Sequence, residues 1–348
     1  MKCYKTIIII LITFFNSKTI LSNDKIFNVN KIEIIKKSNI SNEELADQAI
    51  EKGYKVLINK ILLREDIDKL STIKFKDIKQ LVSYYQLIKK EEDEKGFDIS
   101  TFNISFDKKK IHQLFFNKNI SYSEIFDREV YFLPILKKKD QIFVYNQNFF
   151  YQKWKQIDNN DLIEFILPLE NIEILRSINN QKDNLTNLNI RSLFEEYNKK
   201  NLAIAILDFS HNRDQKVFIK TRISGKNINK NIFIDDGKLN EEKFNEKIIT
   251  EIIKEITNII KSQNLVDVRV PSFLNTKLIE DGNNLAELNK RLKKIDLIDD
   301  IFVQEFNKEY VLLKIKYLGK LDKIITQLES QNIILKLNGE EWSLKILR

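Results

Sequence analysis

Histidine side chains are the first candidates for chemistry in this chain, which has two of them, His112 and His211. A metalloenzyme would bring two or three ligands at fixed spacing, and neither an H-E-x-x-H nor an H-x-H pattern occurs. Ser210 precedes His211, but no G-x-S-x-G turn surrounds this serine. We interpret both histidines as structural or surface residues, and we keep His211 as a possible contact for a ligand or a partner.

Adjacent carboxylates and glycines are the next candidates. Acidic pairs occur at Asp235-Asp236, Asp299-Asp300 and Glu340-Glu341. A glycosidase or an oxygen-ligand metal site needs carboxylates that converge in a cleft, whereas these pairs fall in predicted turns, where they are solvated. The seven glycines lie too far apart to form a phosphate-binding loop. The sequence therefore predicts no catalytic residue, no cofactor site and no metal site.

Aromatic residues are abundant, with 23 Phe and 11 Tyr, and they are dense around residue 150. Exposed rings of this kind can stack on sugars or bases. We take Phe149, Tyr151 and Trp154 as candidate contacts for a ligand or a partner, together with His211. Core packing is the alternative, and we predict it for Trp154.

The first 22 residues have the layout of a secretory signal: a basic start, a short apolar core and a small residue before the predicted cut after Ser22. The apolar run 6–15 is about half the length that a membrane-spanning helix needs. Cleavage would remove Cys3, the one cysteine. We therefore expect a mature periplasmic protein, with an uncleaved anchor in the inner membrane as the minor alternative.

The charge of the chain is +8, and loss of the three lysines in residues 1–22 would leave +5. A basic balance can indicate nucleic-acid or membrane-surface binding. Nine of the 58 basic residues are Arg, the residue suited to bidentate phosphate recognition. The excess of Lys, Ile and Asn instead indicates an A/T-rich genome, so we predict no nucleic-acid partner.

The pattern of elements predicts an α/β (α+β) protein of three small mixed domains after the signal peptide at 1–22. The predicted N-terminal domain, 23–119, has a strand at 26–36, a helix from the capping box at 41–44, and a strand at 97–106. The predicted central domain and C-terminal domain follow, at 120–262 and 263–348.

In the predicted central domain, the nearly continuous apolar run 202–209 is typical of a central strand. A hairpin follows around Ser224-Gly225, and helical spacing of apolar residues predicts a long helix at 241–261 that packs on its own sheet. In the C-terminal domain we predict a first strand at 265–270, then helix, two strands, helix and a hairpin across Asn338-Gly339. This order, with one added strand, indicates a ferredoxin-like sandwich.

Several short sequence segments, in their order and spacing, resemble those of a known family. They are the helix from Ala46-Asp47-Gln48-Ala49 to Val56-Leu57-Ile58, the run Ile78 to Tyr85, the strand ending Ser105-Phe106-Asp107, the segment Phe165 to Glu170, and Tyr197 before the strand 202–207. Together these segments, across roughly residues 40–235, resemble an uncharacterised bacterial envelope family known as domain of unknown function 2066. The resemblance implies a secreted protein and carries over no catalytic residue. Glu170 stands where that family usually has Asp.

We expect a non-catalytic scaffold or adaptor in the envelope of a Gram-negative bacterium, one that binds an envelope protein partner, because no chemistry emerges and small α/β modules present edges and grooves to partners. Two alternatives stay open. One is a periplasmic hydrolase with a dispersed carboxylate site, which needs two carboxylates in one cleft. The other is a glycan-, peptidoglycan- or lipid-binding module that uses the rings from Phe149 to Trp154.

Overall fold

The structure is a computed structural model. It describes residues 26–36, 40–92, 98–125, 128–155, 162–197, 200–209, 214–235, 237, 239–278, 284–307 and 309–347. The predicted signal peptide, His211 and Asp236 lie outside these residues. No helix in the described ranges combines the length and the apolar composition needed to cross a membrane.

The described residues form an α+β protein, as the sequence predicts. Its α-helices are α1 (Asn42–Ile61), α2 (Arg64–Ser71), α3 (Phe75–Leu81), α4 (Lys108–Lys118), α5 (Phe149–Trp154), α6 (Ile172–Asn180), α7 (Ile190–Leu193), α8 (Glu241–Gln263), α9 (Asn284–Leu292) and α10 (Leu321–Ser330). Its first eight strands are β1 (Asn28–Ile35), β2 (Val82–Glu92), β3 (Asp98–Phe106), β4 (Tyr122–Ser123), β5 (Glu129–Lys138), β6 (Gln141–Phe143), β7 (Glu164–Ile166) and β8 (Asn201–Asp208). The others are β9 (Asp214–Ile223), β10 (Lys226–Asp235), β11 (Leu265–Val266), β12 (Ser272–Leu278), β13 (Ile298–Phe306), β14 (Val311–Tyr317), β15 (Ile333–Asn338) and β16 (Glu341–Ile346).

The chain forms two compact units. The first unit comprises the described residues of 1–59, 68–121 and 267–348, and the second comprises 60–67 and 122–266. The division into three domains at 23–119, 120–262 and 263–348 stays a prediction.

In the first unit, strands β1, β3 and β2 form an antiparallel sheet in the order β1-β3-β2. The predicted capping box begins α1: Ser41 N donates to Glu44 Oε2 at 2.9 Å, and Glu44 N donates to Ser41 Oγ at 3.2 Å. The helix packs closely on β3, because a Cβ added at Gly53 would lie 2.6 Å from Ile104 Cδ1. That contact explains a glycine inside a helix, where it costs about 1 kcal/mol relative to alanine.

The first unit also holds a five-stranded sheet in the order β13-β14-β12-β16-β15. The predicted succession of strands and helices is present, but its first strand is β12, at 272–278, and the prediction of that strand at 265–270 is wrong. Leu274, Thr276 and Leu278 alternate inward in β12, which is the period-2 pattern that the sequence reading missed. The ferredoxin-like strand arrangement is not confirmed. The added strand β16, and not β15, lies next to β12 and runs parallel to it, and β15 lies at the edge of the sheet.

The second unit is built on a mixed sheet in the order β10-β9-β8-β5-β6, with β7 also paired to β5. Strand β8 pairs parallel with β5 and antiparallel with β9, so the predicted central position of this strand is confirmed. The predicted hairpin is also present: Ser224 and Gly225 adopt φ values of 48° and 80° between β9 and β10, a turn in which both residues need positive φ.

Both faces of this sheet are covered. Helix α8 packs its Ile-rich stripe on one face, together with strand residues that include Phe132 and Ala205, so the predicted packing of this helix on its own sheet is confirmed. On the other face, Ile174 of α6 and Ile190 of α7 pack against the alternate strand residues, such as Ile204. Burial on both faces explains the continuous apolar run of β8.

Candidate functional site

The aromatic residues around position 150 lie on the short helix α5 in the second unit. Asn148 begins this helix: its Oδ1 accepts from Phe150 N at 2.9 Å, and its Nδ2 donates to Pro134 O at 2.9 Å. Asn148 is completely buried; the first hydrogen bond caps α5, and the second holds the start of the helix against strand β5.

Two of the three predicted contact residues on α5 are buried, which corrects their assignment as ligand contacts. Trp154 is 4% exposed and packs on Phe132, with the ring centroids 4.4 Å apart. Tyr151 is equally buried, and its hydroxyl donates to Pro168 O at 2.7 Å; burial raises the pKa of this hydroxyl. The alternative prediction, a core position for Trp154, is confirmed. Phe149, at 42% exposed, is the predicted contact residue that reaches solvent.

Phe149 lines a cleft of about 540 Å³, which we call the ring cleft. The lining residues come from β5, α5, α8 and the residue that follows β8: Leu136, Lys138, Phe149, Phe150, Lys153, Phe209, Glu241, Glu242 and Asn245. Lys138 ends β5, and Phe209 directly follows β8. Since β5 and β8 run parallel, the ring cleft lies at their carboxyl ends, which is where open α/β sheets bind ligands.

Three phenyl rings form a continuous chain in the ring cleft. Phe149 and Phe150 contact edge to face at 5.6 Å, and Phe150 lies 5.8 Å from Phe209. A cation lies at each end of the chain, with Lys153 Nζ 5.8 Å from the Phe149 ring and Lys138 Nζ 6.0 Å from the Phe209 ring. The arrangement offers an apolar surface between two ammonium groups.

The opposite side of the ring cleft is the first turn of α8. Asn240 begins the helix by accepting a hydrogen bond from Lys243 N at 2.9 Å. Glu241 and Glu242 follow, where the helix dipole favours negative charge. Asn245, one turn further on, contributes a carboxamide to the lining. The cleft therefore combines rings, cations, carboxylates and an amide.

Two of the predicted acidic pairs each have one member in an ion pair with a lysine. Asp299 lies 2.8 Å from Lys316. Burial is the largest single influence and would raise the pKa of this carboxyl, but the hydrogen bond and charge of Lys316, together with the charges of Lys108 and His112, outweigh it and keep the pKa below its usual value. Glu341 pairs with Lys277 at 2.6 Å. In the described residues, no three or more His, Cys, Asp or Glu side chains are grouped as a metal site requires.

A second groove in the same unit, of about 360 Å³, is lined by four glutamates, Glu170, Glu173, Glu195 and Glu196. Leu169, also in its lining, is mostly exposed.

Most of the ring cleft does not follow from the sequence. Lys138, Phe209 and Asn245 are 36 or more residues apart, and only the parallel pairing of β5 and β8 and the packing of α8 bring them together. One available signal was that Lys138 and Phe209 each follow a strongly apolar strand. Neighbouring parallel strands would place such residues at the same edge of the sheet.

Comparison with known proteins gives little support for a family. No protein-family model matches the chain, and no curated protein matches it. One solved structure, described as "Crystal structure of uncharacterized protein", matches 40% of this chain and 95% of its own length, with 9% identity and a TM-score of 0.18. A likeness at that score carries no argument about fold or function. The resemblance to domain of unknown function 2066 stays a prediction.

Proposed function

We propose that this protein is a non-catalytic adaptor of the periplasm that binds an envelope protein partner through the ring cleft. The observation that carries the proposal is the chain of Phe149, Phe150 and Phe209 at the carboxyl ends of parallel strands, with charged groups at both rims. Aromatic rings in a concave surface, surrounded by polar groups, are typical of the anchoring points of protein interfaces.

The chemistry of the lining supports binding more than hydrolysis. Its described residues supply rings, ammonium groups, carboxylates and one amide, but no hydroxyl, thiol or imidazole. Glu241 and Glu242 are adjacent on one helix, and side chains at i and i+1 do not face each other. Two carboxylates that act on one bond must converge on it, which this spacing opposes.

The rings also support a protein partner more than a sugar. Sugar platforms present an open ring face to the ligand, as do stacking platforms for bases. In the ring cleft, Lys138 lies over Phe209 and Lys153 lies over Phe149, and Tyr151 and Trp154 are in the core. The periplasmic location rests on the signal-like residues 1–22, with the uncleaved inner-membrane anchor as the alternative.

The test is a crosslinked pull-down of the C-terminally tagged protein from intact cells, with mass spectrometry of bait and prey. We expect one stoichiometric envelope protein, and a bait that begins near Asn23. Phe149→Ala should reduce recovery of this partner about tenfold, which corresponds to the loss of one anchoring ring.

Phe233→Ala is the matched control, because Phe233 is an exposed phenylalanine of the same unit that does not line the ring cleft. This variant should recover the partner as well as the wild type does. Equal recovery by Phe149→Ala, or the absence of any partner above background, would refute the proposal.

A further inference from the structure

Strand β10 forms one edge of the mixed sheet in the second unit. It pairs with β9 over its whole length, from Lys226 to Asp235, without a shift in register, and it contains no proline. The edge strands β1, β2 and β13, by contrast, each contain a shift. Bulges and prolines keep strand edges from pairing with other chains, so β10 is a long edge that lacks both of these protections.

The turn between β9 and β10 determines which main-chain groups of β10 point outward. A two-residue turn closes on a hydrogen-bonded pair, here Ile223 and Lys226, and such pairs recur at every second residue. The even-numbered residues of β10 therefore bond to β9, and the odd-numbered residues point their N–H and C=O groups away from it. Because β10 has a neighbouring strand on one side only, the outward groups of Asn229, Asn231 and Phe233 face no strand of the described chain.

The odd-numbered side chains of β10 are exposed as well. They include three asparagines at alternate positions, Asn227, Asn229 and Asn231, and Phe233, which is 72% exposed. Asparagine is uncommon in strands. Its carboxamide both donates and accepts hydrogen bonds, so it is complementary to a second copy of itself.

We propose that two copies of this protein join through β10, paired antiparallel about a twofold axis at Asn231, so that their two sheets continue into one. Such an axis sets odd-numbered residues opposite odd-numbered ones, since alternate residues face opposite sides of a sheet. Asn231 then lies opposite its own copy and Asn229 lies opposite Phe233, and the outward groups of these residues form about six hydrogen bonds between the copies. The inference goes beyond the proposed function, because β10 does not line the ring cleft.

The side chains that meet in this register are complementary. Asn227 lies opposite Asp235, so a carboxamide can donate to a carboxylate. On the side of the sheet that α8 covers, Ile228 lies opposite Ile234, and both of these residues pack in the core of the unit. A twofold axis at Lys230 would instead place two ammonium groups directly opposite each other, which destabilises an antiparallel pair.

Two lysines next to this edge are bound within the chain. Lys230 forms an ion pair with Glu255 of α8, and Lys247 Nζ donates to Asp235 O at 2.7 Å. An exposed lysine protects a strand edge when its charge is free to point outward, and the ion pair draws the charge of Lys230 back onto α8. Since the Asp235 carbonyl is already occupied, the central residues 229–233 carry most of the pairing.

Sedimentation equilibrium of the whole protein measures the association, and we expect a reversible dimer. Asn231→Pro should raise the dissociation constant about thirtyfold, because it removes one intermolecular N–H from each copy. The fold accepts proline at this position, since the lost N–H points away from β9. Asn231→Ala is the matched control: it keeps the N–H and loses the side-chain pair, so the dissociation constant should rise about threefold.

Asn231→Lys is a second variant, which keeps every main-chain hydrogen bond. It places two ammonium groups opposite each other at the twofold axis, so it should also weaken the dimer, and less so at high salt. Phe233→Ala leaves the main chain of β10 intact and should stay dimeric, so it remains a valid control for the partner pull-down. A dimer that neither Asn231→Pro nor Asn231→Lys weakens would overturn the inference, and so would a wild type that is monomeric at every concentration.

Cysteine crosslinking tests the register. In an antiparallel hydrogen-bonded pair the Cα atoms lie about 5.5 Å apart, within reach of a disulfide. In a chain that also carries Cys3→Ser, Asn231→Cys should therefore oxidise to a covalent dimer. The two copies of residue 229 would lie more than about 10 Å apart, so Asn229→Cys should not crosslink. Equal crosslinking by the two variants would overturn the inference.

Discussion

Lys261 gives a prediction that the structure makes quantitative. This lysine of α8 is 5% exposed, and its Nζ donates to Leu62 O at 2.9 Å. Burial lowers the pKa of its ammonium from 10.5 to about 8, because a charged group loses hydration in the protein interior. The unfolded chain, in which this lysine is hydrated, then binds a proton more tightly than the folded protein does.

The direction of the pH effect follows from this difference in proton binding. Between pH 8 and 10.5 the unfolded state holds more protons at Lys261, so its contribution to the free energy of unfolding rises with pH across this window. The full difference corresponds to about 3 kcal/mol, and the part gained between pH 7 and pH 10 to about 2 kcal/mol.

Urea unfolding of the wild type and of Lys261→Met at several pH values between 7 and 10 measures this effect. The stability difference, wild type minus variant, should rise by about 2 kcal/mol, because methionine fills the site without a titrating group while all other groups cancel. Lys254→Met, on the same helix with a half-exposed side chain, should leave the shape of the pH profile unchanged. A stability difference for Lys261→Met that stays constant from pH 7 to pH 10 would show that burial does not control this lysine.

Two further predictions concern the cores of the two units. Trp154→Ala should lower the free energy of unfolding by about 3–5 kcal/mol through loss of the contact with Phe132. Trp154→Phe should cost less, because it keeps a ring and removes an indole N–H that has no partner among the described residues. Urea unfolding monitored by circular dichroism measures both losses, and equal losses would contradict the reasoning. Burial, aided by the nearby Lys108, lowers the pKa of His112 from 6.5 to about 4, so the folded state binds fewer protons at this residue than the unfolded state does. As pH drops from 6.5 to 4, the stability of the wild type should therefore fall by about 2–3 kcal/mol more than that of His112→Gln. Acid-unfolding curves of the two proteins measure this, and parallel curves would show that burial does not lower the pKa of His112.

The elements that the sequence predicts best are those whose local pattern and tertiary position agree. Strand β8 is apolar throughout and lies in the middle of its sheet, and α8 has a single apolar stripe that packs on that sheet. Strand β12 escaped prediction because its alternation is short and polar Asn275 and Lys277 face outward between the buried residues. The nearby run 265–270 looked more apolar, yet only Leu265 and Val266 pair, with Ser123 and Tyr122.

The ring cleft could be predicted only in part, for a reason that lies in helix α5 itself. In six residues α5 directs Phe150, Tyr151 and Trp154 into the cores on the two sides of the sheet and leaves Phe149 in the cleft. Aromatic residues that are close together in the sequence do not show which of them are buried, because that depends on the rotation of one short helix. The buried Asn148 sets this rotation through its bond to Pro134 O.

The same division determines how the proposed function must be tested. Phe150 and Phe209 line the cleft and also pack against the core, so their replacement would combine lost binding with lost stability. Phe149, at 42% exposed, can be truncated without opening the core. The residue that reports on recognition is therefore the ring that the fold depends on least, and a loss of binding in Phe149→Ala at unchanged stability can be assigned to the cleft itself.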